Sequence, residues 1–312
     1  MNWYRVLLEM RSWSASTWQA DTIFGHLCWG MKYLYGEDEL TSFLGAYGAG
    51  SPPLLVSNGF PGDLLPKPLM PRSSATPASL EDQKKEFVRN KDAKRARYLS
   101  VAEFSRVISG ERVSDVLTDE KERGQYEIRH VTLKNQISRL TGTTGEEGKL
   151  YPFKEFHWKT VSLYLKIADA FVDKAKSLVD YLAESGYGKR KSVGYGQLKK
   201  LSFDPFAGFQ SPSDANGFVS LSNFVPSSND PANGNWALIV KYGKLGEEYS
   251  LEQMAFKRPL IMLEAGSTFY DSPCREFYGR LVQGVSPPNP QVVQYGFALP
   301  VPMRLPEPVA SR

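Results

Sequence analysis

The sequence predicts an α+β fold in which one sheet carries two helices on a single face and a smaller, mostly β unit follows. Three observations carry this reading. Between residues 1 and 203 the elements run strand, helix, strand, charged insertion, strand hairpin, helix, glycine loop, strand, too few helices for a doubly wound parallel sheet. From residue 204 to 312 the texture changes to loop-rich passages, "PFAGFQSPSDANG" and "PSSNDPANGN", around short strand-like runs. Finally, 312 residues that are 41% hydrophobic and 12% aromatic, with 21 prolines and 26 glycines, suit real cores joined by many turns.

Each element has its own signal. "WYRVLLEM" (3–10) sets Tyr4, Val6, Leu8 and Met10 against Trp3, Arg5, Leu7 and Glu9, the period of a strand with one buried face. In "STWQADTIFGHLCWGMKYLYG", Phe24, Leu27, Cys28, Met31, Leu34 and Tyr35 recur at helical spacing, with Asp21 placed as N-cap and Gly36 as the stop. "PPLLVSNGFP" (52–61) is a short strand entering a proline-rich turn. About 72–124 is polar and charged and reads as an insertion with one short helix over 98–110. "YEIRHVTLKNQI" (126–137) and "KLYPFKEFHWKTVSLYLKI" (149–167) alternate as the arms of a long hairpin, about 126–167, around "SRLTGTTGEEG". "FVDKAKSLVDYLAES" (171–185) gathers Phe171, Val172, Ala175, Leu178, Val179 and Leu182 on one helical face and stops at Gly186. "QLKKLSF" (197–203) returns as a strand, and "WALIVKYG", "PLIMLEAGSTF" and "VVQYGFALPVPM" supply strands to the second unit.

Charge narrows the function classes. The chain nets +4, yet 84–97 holds seven cations against two anions and 186–200 holds five cations and no anion, so the remainder is net acidic. Two focused basic patches favour a polyanionic partner, although each also reads as a solvated face. Cys28 and Cys274 stand in no metal-ligand or disulfide pattern, so no metal and no cofactor is expected, and a reducing cytoplasm is the simplest compartment. The charged N-terminus lacks a signal-peptide core, and no window approaches a membrane span.

"GYGKRKSVGYGQL" (186–198) invites comparison with phosphate-binding loops. It fails them: a Walker loop and a dinucleotide fingerprint follow a strand and open a helix, whereas this segment follows a helix and precedes a strand. What it can do is bring backbone and cations close to a phosphodiester chain, with glycines removing side-chain obstruction. An exposed turn after a helix cap is the other reading.

Taken with "QADTIFGHLCWGM", "SNGFPGDLLPKPLMP", "ISRLTG…GKLYPF" and "VVQYGFALPVP", the loop resembles the RAMP superfamily of CRISPR proteins. The likeness is narrowest to the fourth subunits of type III-A (Csm) effector complexes, relatives of the guide-capping subunits. The resemblance implies two RRM-related ferredoxin-like domains, the second mostly β, in a non-catalytic subunit that binds the 5′ repeat-derived handle of the CRISPR guide RNA. The implied partners are the large polymerase-like signature subunit and the first backbone RAMP subunit of a hetero-oligomer, with a hairpin lying near the guide–target duplex. Carried onto this chain, it nominates Gly188, Lys189, Arg190, Lys191, Ser192, Gly194 and Gly196 as RNA contacts. It adds Trp18, Asp21, Thr22 and His26 at the first helix, where an indole could stack on a base. Arg139 and Lys149 join them at the hairpin tip, and the positive charge of the insertion, apart from the resemblance, adds Lys94, Arg95 and Arg97.

The alternative is a metal-independent endoribonuclease. Three histidines bear on it: His26 read on the polar side of the first helix, His130 within an alternating strand, and His157 in "FHW". No pair has the spacing for metal ligation or paired acid–base work on one helix face.

Overall fold

The structure is a computed structural model that describes residues 1–71, 79–118, 126–144, 150–251 and 254–307. In chain order the first part runs β1 (Asn2–Met10), α1 (Ala20–Tyr35), α2 (Glu37–Gly48), β2 (Leu54–Val56), β3 (Phe60–Pro61) and β4 (Leu64–Pro66). It continues through α3 (Leu80–Arg95), β5 (Tyr98–Ser100), α4 (Val101–Ile108), α5 (Val113–Val116), β6 (Ile128–Asn135), β7 (Leu150–His157), β8 (Thr160–Ile167), α6 (Val172–Ser185) and β9 (Leu198–Pro205). The rest is β10 (Gly217–Ser220), β11 (Gly234–Asn235), β12 (Leu238–Lys241), β13 (Leu260–Leu263), β14 (Thr268–Tyr270), β15 (Tyr278–Gly279), β16 (Phe297–Ala298) and β17 (Pro300–Met303).

The result is a mixed α/β protein with several small sheets. The main sheet is antiparallel in the order β2–β8–β1–β9, with β3 also pairing β8. β1 is central because its alternation leaves Val6, Leu8 and Met10 buried. The second large sheet runs β11–β14–β10–β17. The core is continuous across residue 204: Leu221, Tyr295, Leu299 and Val301 belong to the same buried cluster as Val6, Phe24 and Leu165. Phe24 stacks on Tyr295 with ring centroids 4.5 Å apart, and the Tyr295 hydroxyl accepts from the Val56 N–H.

Several expectations are corrected. Gln19, not Asp21, occupies the N-cap position of α1 and makes no side-chain cap; the helix start is instead capped by Asn58, whose Oδ1 accepts from the Ala20 N–H at 2.9 Å. Leu34 and Tyr35 do not extend the buried stripe; they are 50% and 39% exposed. The helix expected over 98–110 begins at Val101, because Ser100 and Glu103 form a reciprocal capping box. A further helix, α3, precedes it and has no apolar stripe to announce it. The second hairpin arm is two strands: β7 pairs β6, and after Trp158 and Lys159 the chain enters the main sheet as β8. No helix of the described residues is long and apolar enough to cross a membrane.

Candidate nucleic-acid interface

The glycine loop is built as a closed neck with a protruding turn. Gly186 ends α6, with its N–H on the Leu182 carbonyl at 3.1 Å. The chain then doubles back: the Tyr187 N–H donates to the Gly196 carbonyl at 2.9 Å and the Gly196 N–H to the Trp13 carbonyl at 2.8 Å. Gly196 is at φ +64°, and a Cβ there would stand 1.9 Å from the Tyr187 carbonyl oxygen, so only glycine closes the neck. Tyr187 locks it from below: its ring is fully buried and stacked on Trp18 at 3.9 Å, its hydroxyl donating to Thr17 and accepting from the Gln19 N–H.

Two more contacts seat the loop on the first helix and its approach. The Gly188 N–H donates to His26 Nε2 at 3.0 Å, and the Lys189 N–H donates to Ser16 Oγ at 2.8 Å. Burial, reinforced by the charge of Lys191, lowers His26 from 6.5 to about 4, which keeps that nitrogen an acceptor. Above the neck, Arg190 takes the left-handed conformation (φ 62°) and opens a single tight turn over Lys191–Val193.

The three cations have different fates. Lys189 is exposed and makes no ion pair among the described residues. Arg190 is exposed but oriented, its guanidinium donating to Tyr151 Oη at 3.0 Å and lying 4.5 Å from the centre of the Phe153 ring. Lys191 is half-buried in an ion pair with Glu247. Ser192 and Gly194 are exposed, with open space around Gly194.

The root of the hairpin braces this loop. The register His130 to Glu155, Thr132 to Phe153 and Lys134 to Tyr151 places these residues on one face. On that face the Lys134 ammonium donates to Tyr195 Oη at 2.9 Å and sits 4.0 Å from the Phe153 ring centre. Tyr195 donates to Glu155 at 2.7 Å, and His130 Nδ1 lies 2.9 Å from the other Glu155 oxygen. Burial works to raise the Glu155 carboxyl, but hydrogen bonds from Tyr195 and His130 and the nearby charges outweigh it and lower it. A cleft of about 520 Å³ beside the loop is lined by Arg11, Lys191, Lys199 and Lys200, with Asp180 and Glu184 among the wall residues. Lys200 is paired with Asp180 and Arg11 with Glu9, so Lys199 is the cation there that carries no ion pair among the described residues.

Of the residues nominated at the first helix, Trp18 and Asp21 are buried and Thr22 and His26 are partly buried. Trp18 is 2% exposed, and its indole N–H finds no acceptor among the described residues. Asp21 is buried and paired with Lys241 at 2.9 Å while accepting from Gln294 Nε2 at 2.5 Å. Thr22 Oγ1 lies 2.8 Å from the same ammonium. Beside them, burial pushes Lys257 down to about 8. This cluster ties the start of α1 to the second part of the chain. His26, partly buried and outside the buried stripe of α1, is a seat for the loop.

The second basic patch is elsewhere. Lys94, Arg95 and Arg97 are exposed at the end of α3, which hangs beyond β4 and β5 on the β3 side of the main sheet, whereas the loop leads into β9 at the opposite edge. The Lys67 ammonium donates to the Ala93 carbonyl at 2.6 Å and so caps this helix end. Arg139 is exposed beyond β6, and Lys149 lies outside the described residues. Sequence reading missed Lys134, Tyr151, Phe153, Glu155, Tyr195 and Glu247. Strand alternation could have grouped the four hairpin residues; nothing local announces Glu247.

No protein-family model matches the chain, and no curated protein matches it. Its fold is nevertheless shared along its whole length with solved structures. A chain of the Csm1–Csm4 cassette solved with pppApA matches 99% of this chain and 100% of its own, with a TM-score of 0.65 and 18% identity. The cassette solved with AMPPNP gives a TM-score of 0.66 over the same shares, again at 18% identity. A chain of the Csm3–Csm4 subcomplex of the type III-A CRISPR-Cas interference complex matches 97% of this chain and 100% of its own, with a TM-score of 0.63 and 14% identity. The subunit named in both assemblies is Csm4. At these identities the likeness is one of fold.

Proposed function

We propose that this chain is the Csm4-type RAMP subunit of a type III-A CRISPR effector particle, a cytoplasmic hetero-oligomer. In it the chain grips the 5′ repeat-derived handle of the guide RNA without catalysing a reaction. Its partners on this reading are the large signature subunit and the first backbone subunit, as in the Csm1–Csm4 and Csm3–Csm4 assemblies whose fold it shares. The strand order β2–β8–β1–β9, with α1 after the first strand and α6 before the last, supports a ferredoxin-like first domain to about residue 203. The part from 204 onward is read as a second, β-rich relative of it.

The observation that carries the reading is the preformed loop. Its backbone is fixed at both ends and at two points between, while Lys189, Arg190 and Ser192 face outward. Such an arrangement suits phosphate holding, which positions RNA without reading its sequence. The RNA surface is accordingly Gly188 to Gly196 with Arg139 and the hairpin root, and Trp18, Asp21, Thr22 and His26 support it from within. Exchanging Lys189, Arg190 and Lys191 together for alanine is expected to release handle RNA from the assembled particle at moderate salt; full retention refutes the assignment.

The endoribonuclease alternative finds little support in the histidines. His26 accepts from the Gly188 N–H, and His157 Nε2 donates to the Met10 carbonyl. His130 is committed to Glu155. Repeat RNA incubated with the protein in EDTA is expected to remain intact; cleavage lost in His26→Ala would reverse the reading.

A further inference from the structure

We infer that the outer face of the β12–β13 ribbon is a docking surface for a protein partner that is apolar at its centre and acidic at one edge. The inference rests on the proposed membership of a multi-protein particle, but it assigns a surface that the reading above leaves open. Along β12 and its ends, Trp236, Leu238, Val240 and Tyr242 alternate outward and are 49–70% exposed, and Ile261 stands out on β13 opposite Val240. Five large apolar side chains on one side of a two-stranded ribbon exceed the scattered exposure of an ordinary surface. Trp, Tyr and aliphatic side chains together have the composition of an interface centre.

The ribbon cannot turn over to hide this face. Its other side is already used: Ile239 and Leu260 pack against the cluster of Val225, Met262, Val282 and Val285, and the Lys241 ammonium is drawn inward to Asp21. The surface is therefore presented rigidly.

Charge selects the occupant. Lys244 and Arg258, at the two ends of the connection between β12 and β13, are exposed and make no ion pair among the described residues. Two acids of that connection are taken elsewhere, Glu247 by Lys191 and Glu248 by Lys32, and its third, Glu252, lies outside the described residues. A basic edge at one end of an apolar centre complements a protein surface with carboxylates at the matching edge. A second copy of this chain would bring the same cations to that edge, and RNA would find rings only at the two ends, Trp236 and Tyr242, with Leu238, Val240 and Ile261 between them.

The test is reconstitution of the full chain with guide RNA and the other protein subunits of the particle, followed by native mass spectrometry. Leu238→Glu with Tyr242→Glu is expected to weaken binding of one protein subunit at least tenfold while RNA crosslinks to the glycine loop persist. Lys244→Glu with Arg258→Glu, which leaves the apolar centre intact, is expected to weaken the same subunit, and thermal melting equal to wild type in both variants shows that they fold. Particles as complete as wild type for both variants overturn the face assignment alone. A wild-type dimer that these substitutions dissociate, or RNA crosslinks at Trp236 or Tyr242, also overturns it. A wild-type chain that assembles with no protein subunit overturns both this inference and the reading it rests on.

Discussion

The segments 84–97 and 186–200 carry the same net charge, and the fold treats them in opposite ways. In the first, cations line a helix whose exposed side chains make local pairs such as Lys85–Glu81. In the second, the N–H groups of Gly186, Tyr187, Gly188 and Gly196 all have acceptors, a Trp–Tyr stack lies beneath, and the cations are individually directed to an aromatic ring, a carboxylate or solvent. Charge density alone therefore does not identify a binding site. What separates the two is preorganisation: the loop has spent its conformational entropy in folding, whereas ordering long side chains on α3 would still cost binding free energy.

The largest expected effect comes from the neck. Gly196→Ala meets the Tyr187 carbonyl and an unfavourable φ, and should destabilise the protein by about 2–3 kcal/mol or more in urea unfolding. Lys91→Ala on the exposed side of α3 should stay within about 0.5 kcal/mol. Equal effects would erase the distinction.

Next is RNA affinity. Alanine at Lys189, Arg190 and Lys191 should weaken handle-RNA binding by roughly tenfold or more and flatten the salt dependence by about 1.4 in log–log slope, from the two cations that carry no carboxylate. The same treatment of Lys94, Arg95 and Arg97 should cost no more than about threefold, as expected for screened, unoriented charge. Anisotropy titrations between low and moderate salt read both.

A third prediction concerns Glu247, whose carboxylate occupies Lys191 as a phosphate would. Glu247→Gln should free that cation and tighten RNA binding by about twofold to threefold. No change would mean that Lys191 does not face the RNA path.

The last effect is a pH dependence. His26 is depressed to about 4 in the fold, so below 6.5 the unfolded chain binds a proton that the folded chain resists. Its contribution to stability is full above pH 6.5 and is lost progressively as pH falls toward 4. Melting temperature in that window should therefore fall less steeply in His26→Gln, which offers an acceptor without a titration.

Much of the fold was legible because it is written in local period. The buried alternation of β1, the face of α6 and the helix-to-strand position of the glycine loop all follow from spacing within single elements. The misses share a cause, which is partners distant in sequence. Trp18 looks like a stacking platform until Tyr187 covers it, and Asp21 looks like a cap until Lys241 and Gln294 arrive from more than two hundred residues away. α3 has no apolar stripe to mark it in the sequence. The site was legible as a loop and not as a site, since its brace of Lys134, Phe153, Glu155 and Tyr195 exists only once the hairpin folds against it.

The most direct test is a residue-level map of guide-RNA crosslinks in the assembled particle. Crosslinks concentrated at residues 188–192 and the hairpin root, with few along 84–97, are the predicted result. Crosslinks along 84–97 with a silent glycine loop would contradict it, and with it the claim that backbone preorganisation rather than charge marks the RNA site.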